Sequence, residues 1–344
     1  MAVYKKTALS ALDQLFAAIS EQKALYLPTD NADGDAVYTK WTDGAILSNA
    51  VNTLRSAKDF FFPQTENIAG FKLTGKSIEM FDTADEKEDF VLFGVRACDV
   101  RSFSILDSVF LADPVDSFYA ARREHGVIVS LACSDANETC FCKTFGIDPA
   151  EPGADVSAWK NNGFMYFRAN TEKGSLLLAS LDAFLEDADE SEVCEIKQSI
   201  DEMMQTLPLA TLTTDAFDGA DQLSTFRSPE WKQLSATCLG CGTCTFYCPT
   251  CQCYDIREFD TGNGIRRFRC WDSCMYSDFT KMAAENPRHT QLERFRQRFM
   301  HKLVYYPMNN NGVYGCVGCG RCLAKCPIST NIVKVMKTLG KEKA

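Results

Sequence analysis

Eight cysteines stand in two copies of one pattern, Cys238-Leu-Gly-Cys241-Gly-Thr-Cys244-Thr-Phe-Tyr-Cys248-Pro249 and Cys316-Val-Gly-Cys319-Gly-Arg-Cys322-Leu-Ala-Lys-Cys326-Pro327. Both read C-x-G-C-G-x-C-x-x-x-C-P, a spacing suited to a cubane of iron and sulfide, which takes four soft thiolate ligands at its corners. One cysteine at every third residue grips one face of the cube, and Gly240, Gly242, Gly318 and Gly320 let the backbone come close. The last cysteine of each run reaches across to the other cube. The ligand sets read from this pattern are Cys238, Cys241, Cys244 and Cys326 for one 4Fe-4S cluster, and Cys248, Cys316, Cys319 and Cys322 for the second. Structural zinc is the competing reading, but it uses two C-x-x-C pairs and leaves the third and fourth cysteine of each run without a task.

The repeated run is that of the bacterial two-cluster ferredoxins, and the rest of the chain must position it. A length of 344 residues allows two or three domains. Seventeen cysteines would suggest disulfides in a secreted chain, but nothing at the N-terminus reads as an export signal. Leu9, Leu12, Leu15, Phe16 and Ile19 instead fall on one face of an amphipathic helix. No run of eighteen apolar residues is present, so no membrane span is expected and the cytoplasm, in oxygen-poor physiology, is the expected compartment. The net charge of −10 argues against non-specific nucleic-acid binding.

Residues 1–225 read as an α/β (α+β) domain with a mixed or mostly parallel sheet. Val91-Leu92-Phe93-Gly94-Val95 and Val127-Ile128-Val129-Ser130-Leu131-Ala132 are unbroken apolar runs, as expected of strands buried on both faces. Asp99 or Ser102 would cap a helix through Phe103, Ile105, Leu106 and Val109. Cys98 and Cys133 then sit at the carboxyl ends of two strands, where open α/β sheets place their ligand crevice. With Cys140 and Cys142 they make four thiols, which on spacing alone are either a third cluster site or ordinary buried cysteines. Gly163-Phe-Met-Tyr-Phe-Arg-Ala and Ser175-Leu-Leu-Leu-Ala-Ser-Leu read as further strands joined through Glu172-Lys173-Gly174 as a turn. Residues 182–221 hold twelve acidic residues against one basic, Lys197, and read as a solvated acidic helix and linker, with Cys194 structural.

Residues 226–344 read as a largely α-helical dicluster ferredoxin-like domain, entered through a helix at Ser228-Pro229-Glu230-Trp231 and interrupted by a long insertion at 250–315. The insertion carries Cys251, Cys253, Cys270 and Cys274. A fourth cluster is arithmetically open to them, but a C-x-C step splays neighbouring side chains, which favours packing or S–H contacts around the cubanes. The insertion is also basic, ending in Arg288, Arg294, Arg296, Arg298 and Lys302, and cationic neighbours ease reduction of a net-negative cluster. Phe295, Phe299 and Leu303 recur at helical spacing as a buried face, which ranks nucleic-acid binding well below. His125, His289 and His301 show no metal-ligand spacing, and Ile332, Val335, Met336 and Leu339 predict a closing amphipathic helix.

Arg96-Ala97-Cys98-Asp99, Thr139-Cys140-Phe141-Cys142, Cys248-Pro-Thr-Cys251-Gln-Cys253-Tyr254, Trp271-Asp-Ser-Cys274 and the two ferredoxin runs occur in this order. In that combination the chain resembles the iron-sulfur β subunit of cytoplasmic sulfhydrogenases and the corresponding iron-sulfur subunit of anaerobic sulfite reductase, from about Phe61 onward. The resemblance implies a third 4Fe-4S cluster on Cys98, Cys133, Cys140 and Cys142, whereas Cys270 lies outside the family pattern. It further implies a hetero-oligomer. A separate subunit holding FAD takes a hydride pair from NAD(P)H, and this kind of chain passes single electrons to a catalytic hydrogenase or sulfite reductase subunit. Consistently, the sequence has no G-x-G-x-x-G after a strand, no P-loop and no Ser/His/Asp set, and no catalytic residue is expected. The rival expectation is a chain that binds its own flavin and reduces a substrate directly.

Overall fold

In the computed structural model, which describes residues 3–81, 88–219 and 221–341, alternation of apolar and polar residues has become two sheets. The strands are β1 (Tyr4–Ala8), β2 (Ala24–Asp30), β3 (Ala36–Lys40), β4 (Thr65–Thr74), β5 (Ser77–Phe81), β6 (Phe90–Val95), β7 (Gly126–Leu131), β8 (Val156–Asn161), β9 (Phe164–Ala169), β10 (Glu186–Ala188), β11 (Tyr254–Asp260) and β12 (Gly264–Trp271). The larger sheet is eight-stranded, in the order β10-β1-β9-β8-β7-β6-β2-β3. Its middle, β2-β6-β7-β8, is parallel, and antiparallel strands flank it, so the N-terminal part is a mixed sheet with a parallel core.

Strands β6 and β7 are buried at every residue, which is what their unbroken apolar runs require. On one face Leu12, Leu15, Phe16 and Ile19 pack with Leu177; on the other, Phe61, Phe62, Phe103, Phe110 and Tyr119 make an aromatic layer. The acidic helix Glu190–Gln205, opened by an Asp189–Glu192 capping box, buries Val193, Ile196, Ile200 and Met204 and leaves its carboxylates outward. C-terminally the structure is largely helical. Trp231, Phe295, Phe299, Ile332, Val335, Met336 and Leu339 form one core that also receives Phe141.

Three local expectations differ. Residues 4–8 are a strand, and the first α-helix begins only at Leu12. Residues 172–180 are a helix, not a turn and strand: Thr171 accepts a hydrogen bond from the Gly174 N–H at 3.2 Å, and an apolar run this short suits either structure until a cap decides. The helix Ala97–Phe110 starts earlier than either proposed cap, with Asp99 and Ser102 already inside it.

The smaller sheet is four-stranded, in the order β11-β12-β4-β5, and it draws on both ends of the chain. The insertion supplies a hairpin, β11-β12, whose second strand pairs with β4 from Gly264↔Lys72 to Cys270↔Thr65. Arg269, 4% exposed, fixes that pairing by donating from Nε to Glu66 Oε2 at 2.8 Å and by pairing with Asp116.

Trp159 closes the floor under β8, fully buried, with its Nε1–H on the Ala150 carbonyl at 2.7 Å. Trp159→Ala is expected to cost about 3–5 kcal/mol through lost contacts and an unpaired carbonyl; a urea-unfolding midpoint within error of wild type would contradict this packing.

Candidate metal centres

Each C-x-G-C-G-x-C run folds the same way. Gly242 and Gly320 lie in the left-handed region, at φ 74° and 76°, and each starts a single helical turn, Thr243–Phe246 or Arg321–Ala324. The turn carries the third cysteine of each run and delivers the chain to the final Cys-Pro. The two short helices pack on one another, which sets the runs face to face.

Cys238, Cys241, Cys244 and Cys326 line one cavity, walled by Leu239, Met275, Phe295, Phe299 and Ile328. The final cysteine of the second run thus stands with the first run. Cys238 Sγ accepts from Gly240 N–H at 3.5 Å and from Gln291 Nε2 at 3.4 Å, and Cys326 Sγ faces the Thr330 carbonyl at 3.6 Å. Cys241 is exposed, and the Thr243 hydroxyl 3.3 Å from its sulfur holds the thiol below its ordinary pKa.

The counterpart set is buried more deeply. Burial and then Arg298 bear most on the Cys322 thiol, followed by Cys316, Cys319 and Cys248, and Cys248 bears on Cys244 as well. Cys248 Sγ is 3.2 Å from Thr250 Oγ1.

Cys98, Cys133, Cys140 and Cys142 share a third cavity, with Arg96, Asn52 and Met204 in its wall and Gly318 and Cys319 at its edge. Cys98 lies in the first turn of the helix Ala97–Phe110, and Cys133 lies just past β7. The crevice is therefore at the carboxyl ends of adjacent parallel strands. Arg96 ties it together, donating to the carbonyls of Val51 at 3.0 Å and Ala132 at 2.8 Å.

Four cysteines line the first cavity, among mostly apolar walls and the Arg298 guanidinium, and four share the third, with Cys319 at its edge. That chemistry fits 4Fe-4S clusters and gives hard, oxygen-seeking cations nothing to bind. Burial pushes the thiols of Cys142 and Cys319 up to about 12, and those of Cys98, Cys133, Cys140, Cys316 and Cys322 upward as well, so ligation would expel protons.

The second and third sets adjoin through backbone. The Phe141 N–H donates to the Gly318 carbonyl at 2.9 Å, and Asn52 Nδ2 donates to the Cys319 carbonyl at 2.9 Å. A Cβ at Gly318 would stand 2.4 Å from the Phe141 carbonyl oxygen, and one at Gly320 would stand 2.5 Å from that of Thr139. Arg321, the residue that breaks the symmetry of the two runs where the first has Thr243, pairs with Asp99 at 2.6 and 2.8 Å. It also donates to the Thr53 carbonyl at 3.0 Å.

The insertion cysteines divide. Cys251 shares a hydrogen bond with Cys248, which holds Cys248 well below its usual pKa, and Cys253 shares one with Cys274, which draws Cys253 down to about 7. Cys270 points away on the opposite face of β12 from Trp271, among Asp255, Arg257 and Asp272. The four are thus not gathered into one site.

Several site residues escaped the sequence reading. Lys58, 1% exposed, donates to the carbonyls of Cys248 at 3.1 Å and Cys251 at 3.0 Å, and its ammonium lies 3.6 Å from the centre of the Trp271 ring. Asn52, Thr53 and Arg96 likewise act across long sequence separations, and only the R-A-C-D motif gave any signal for them.

Comparison with known proteins follows this geometry. Residues 237–330 match the 4Fe-4S dicluster domain family. The chain is 33% identical over 286 residues to sulfhydrogenase 2 subunit beta of Pyrococcus furiosus, covering 83% of this chain and 82% of that one. The chain belongs to the sulfhydrogenase β-subunit family. A chain of the F420-reducing [NiFe] hydrogenase complex of Methanosarcina barkeri overlaps 60% of this sulfhydrogenase-family chain and 90% of its own length, with a TM-score of 0.34 and 10% identity, too loose a likeness to bear on the fold.

Gly318→Ala is expected to destabilise this β-subunit-family chain more than Gly312→Ala. Both residues have positive φ, but at Gly312 nothing stands within 4 Å of the added methyl, so only the backbone cost of about 1–2 kcal/mol applies. Equal losses in chemical denaturation would mean that close approach is not what Gly318 serves. Arg321→Met is expected to cost about 3–5 kcal/mol by stranding buried Asp99, and adding Asp99→Leu should recover much of it; an additive double variant would show that the two do not act as a pair.

Proposed function

We propose that this chain is the electron-transfer subunit of a soluble, cytoplasmic, hydrogenase-type complex. In this reading it holds one 4Fe-4S cluster on Cys238, Cys241, Cys244 and Cys326, a second on Cys248, Cys316, Cys319 and Cys322, and a third on Cys98, Cys133, Cys140 and Cys142. Such clusters, when bound, accept and release single electrons. The protein's share is to hold the cages in a row, keep water out, and supply fixed charge.

The observation that carries the reading is adjacency. Gly318 and Cys319, from the second run, line the cavity of Cys98, Cys133, Cys140 and Cys142, which supports a relay in which the second set exchanges electrons with the third. The ends of such a relay would face different partners: a subunit with FAD that oxidises NAD(P)H, and a catalytic hydrogenase subunit. The named relative, a sulfhydrogenase subunit beta, supports the second of these. No helix among the described residues is long and apolar enough to cross a membrane.

Anaerobic reconstitution with iron and sulfide is expected to load about twelve of each per chain, about four for every four-thiolate set. Changing Cys140 and Cys142 together to alanine should remove about four of each and leave the rest. Zinc without visible cluster absorption would overturn the proposal, and tightly retained flavin would favour a reductase acting on its own substrate.

A further inference from the structure

The helix Gln291–Met300 runs into a π-helical turn, His301–Tyr305, and its apolar stripe of Phe295, Phe299 and Leu303 is buried. That stripe draws two cations inside with it. Arg298 is 2% exposed and Lys302 is 5% exposed, one turn further on the same side. Cations are rarely buried without a counter-charge, since desolvation costs several kcal/mol.

Arg298 lines the cavity of Cys238, Cys241, Cys244 and Cys326. Its Nη2 donates to the Cys244 carbonyl at 2.8 Å and its guanidinium lies 4.6 Å from the centre of the Phe299 ring. Its Nε and Nη1 find no acceptor among the described residues. Unsatisfied buried donors of this kind cost more than ordinary ones because they are charged, so they point to an anionic occupant. Lys302 donates to Thr250 Oγ1 at 2.6 Å and to the Gly315 carbonyl at 2.9 Å, both in chain segments that border the second set. An ammonium has three donors, and these contacts use two.

The charged neighbours differ between the two. Burial opposes the charge of Arg298, but the thiols of Cys244 from the first ferredoxin set, of Cys322 and Cys248 from the second, and of Cys251 from the insertion outweigh it. For Lys302 burial is outweighed by Cys248 and Cys251, with Cys316 adding to them. By contrast, Arg321 is paired with the buried carboxylate of Asp99, and Arg96 stands in the wall of the third cavity.

We propose that Arg298 and Lys302 set the reduction potentials of the ferredoxin-like part, Arg298 raising both of its clusters and Lys302 only that of Cys248, Cys316, Cys319 and Cys322, which becomes the more easily reduced of the two. The inference rests on the cluster assignments above. A four-thiolate cluster is net negative and gains one more negative charge on reduction, so a fixed cation in a low-dielectric wall favours the reduced form. The cation on the boundary acts on both clusters, and the one behind the second set acts on that set.

The test is a redox titration followed by electron paramagnetic resonance on the anaerobically reconstituted full chain. Signals are assigned by which one is lost when Cys241, Cys319 or Cys140 is changed to alanine. In the unaltered protein the Cys319 cluster should be reduced before the Cys241 cluster. Lys302→Met should disfavour its reduction at least about tenfold, which is about 59 mV for one electron, and leave the other two in place. Arg298→Gln should lower both ferredoxin-part potentials, and Arg298→Lys and Lys302→Arg should largely restore them. Loaded variants with unmoved potentials, or charge-keeping variants that shift as far as the neutral ones, would overturn the inference. Iron measured on the same samples separates the two proposals: an unaltered chain that takes up no iron sinks the cluster assignments themselves.

Discussion

Two stretches of main chain, residues 139–142 and 318–320, lie against one another at backbone distance, and the cysteine sets on either side depend on that contact. Backbone can approach backbone this closely only where there is no Cβ, and here a methyl at either glycine would collide with a carbonyl. The Phe141–Gly318 hydrogen bond satisfies polar groups that the contact would otherwise strand, and the buried Asp99–Arg321 pair locks it from the side. The parallel sheet delivers Cys98 and Cys133 to this place, and the helical part delivers Cys316 and Cys319. The glycines of the two runs therefore do different work: in the first run a Cβ at Gly240 or Gly242 would meet only the ends of Gln291 and Tyr276.

Charge follows the same logic. Sulfur-lined cages would be anionic when ligated, and the structure sets buried basic side chains beside them, Lys58 and the Arg298–Lys302 side of one helix, while Arg321 is paired with Asp99. The overall acidity of the chain says nothing of this, because its excess carboxylates are carried on exposed faces such as that of the helix Glu190–Gln205. Net charge and local field have opposite signs here.

Much of the site was legible in the sequence because ligand spacing is local. The C-x-x-C-x-x-C runs, the fully apolar β6 and β7, and the stripe through Phe295 and Phe299 all declare themselves within a dozen residues. The crevice position of Cys98 and Cys133 followed from one topological rule applied to two strands. What could not be read depends on pairing at a distance. The alternation in Tyr254-Asp-Ile-Arg-Glu-Phe and Ile265-Arg-Arg-Phe-Arg-Cys around Thr261-Gly-Asn-Gly was a hairpin signal that went unread, but even once recognised it does not reveal β4 as its neighbour. Lys58 gave no signal at all, since a lysine is ordinarily exposed. The run Ser175-Leu-Leu-Leu was ambiguous in period, and the Thr171 cap settled it as helix.

The four-stranded sheet has a bearing on how the polypeptide is made. Strand β4 leaves the ribosome early, while its partner β12 belongs to the insertion and is translated only after the large sheet and the acidic helix. Until then β4 presents an unpaired edge, the kind that invites pairing with the wrong chain. The nascent chain must therefore carry an open seam through most of its synthesis, and that seam closes only once the hairpin that follows the first cysteine run has emerged.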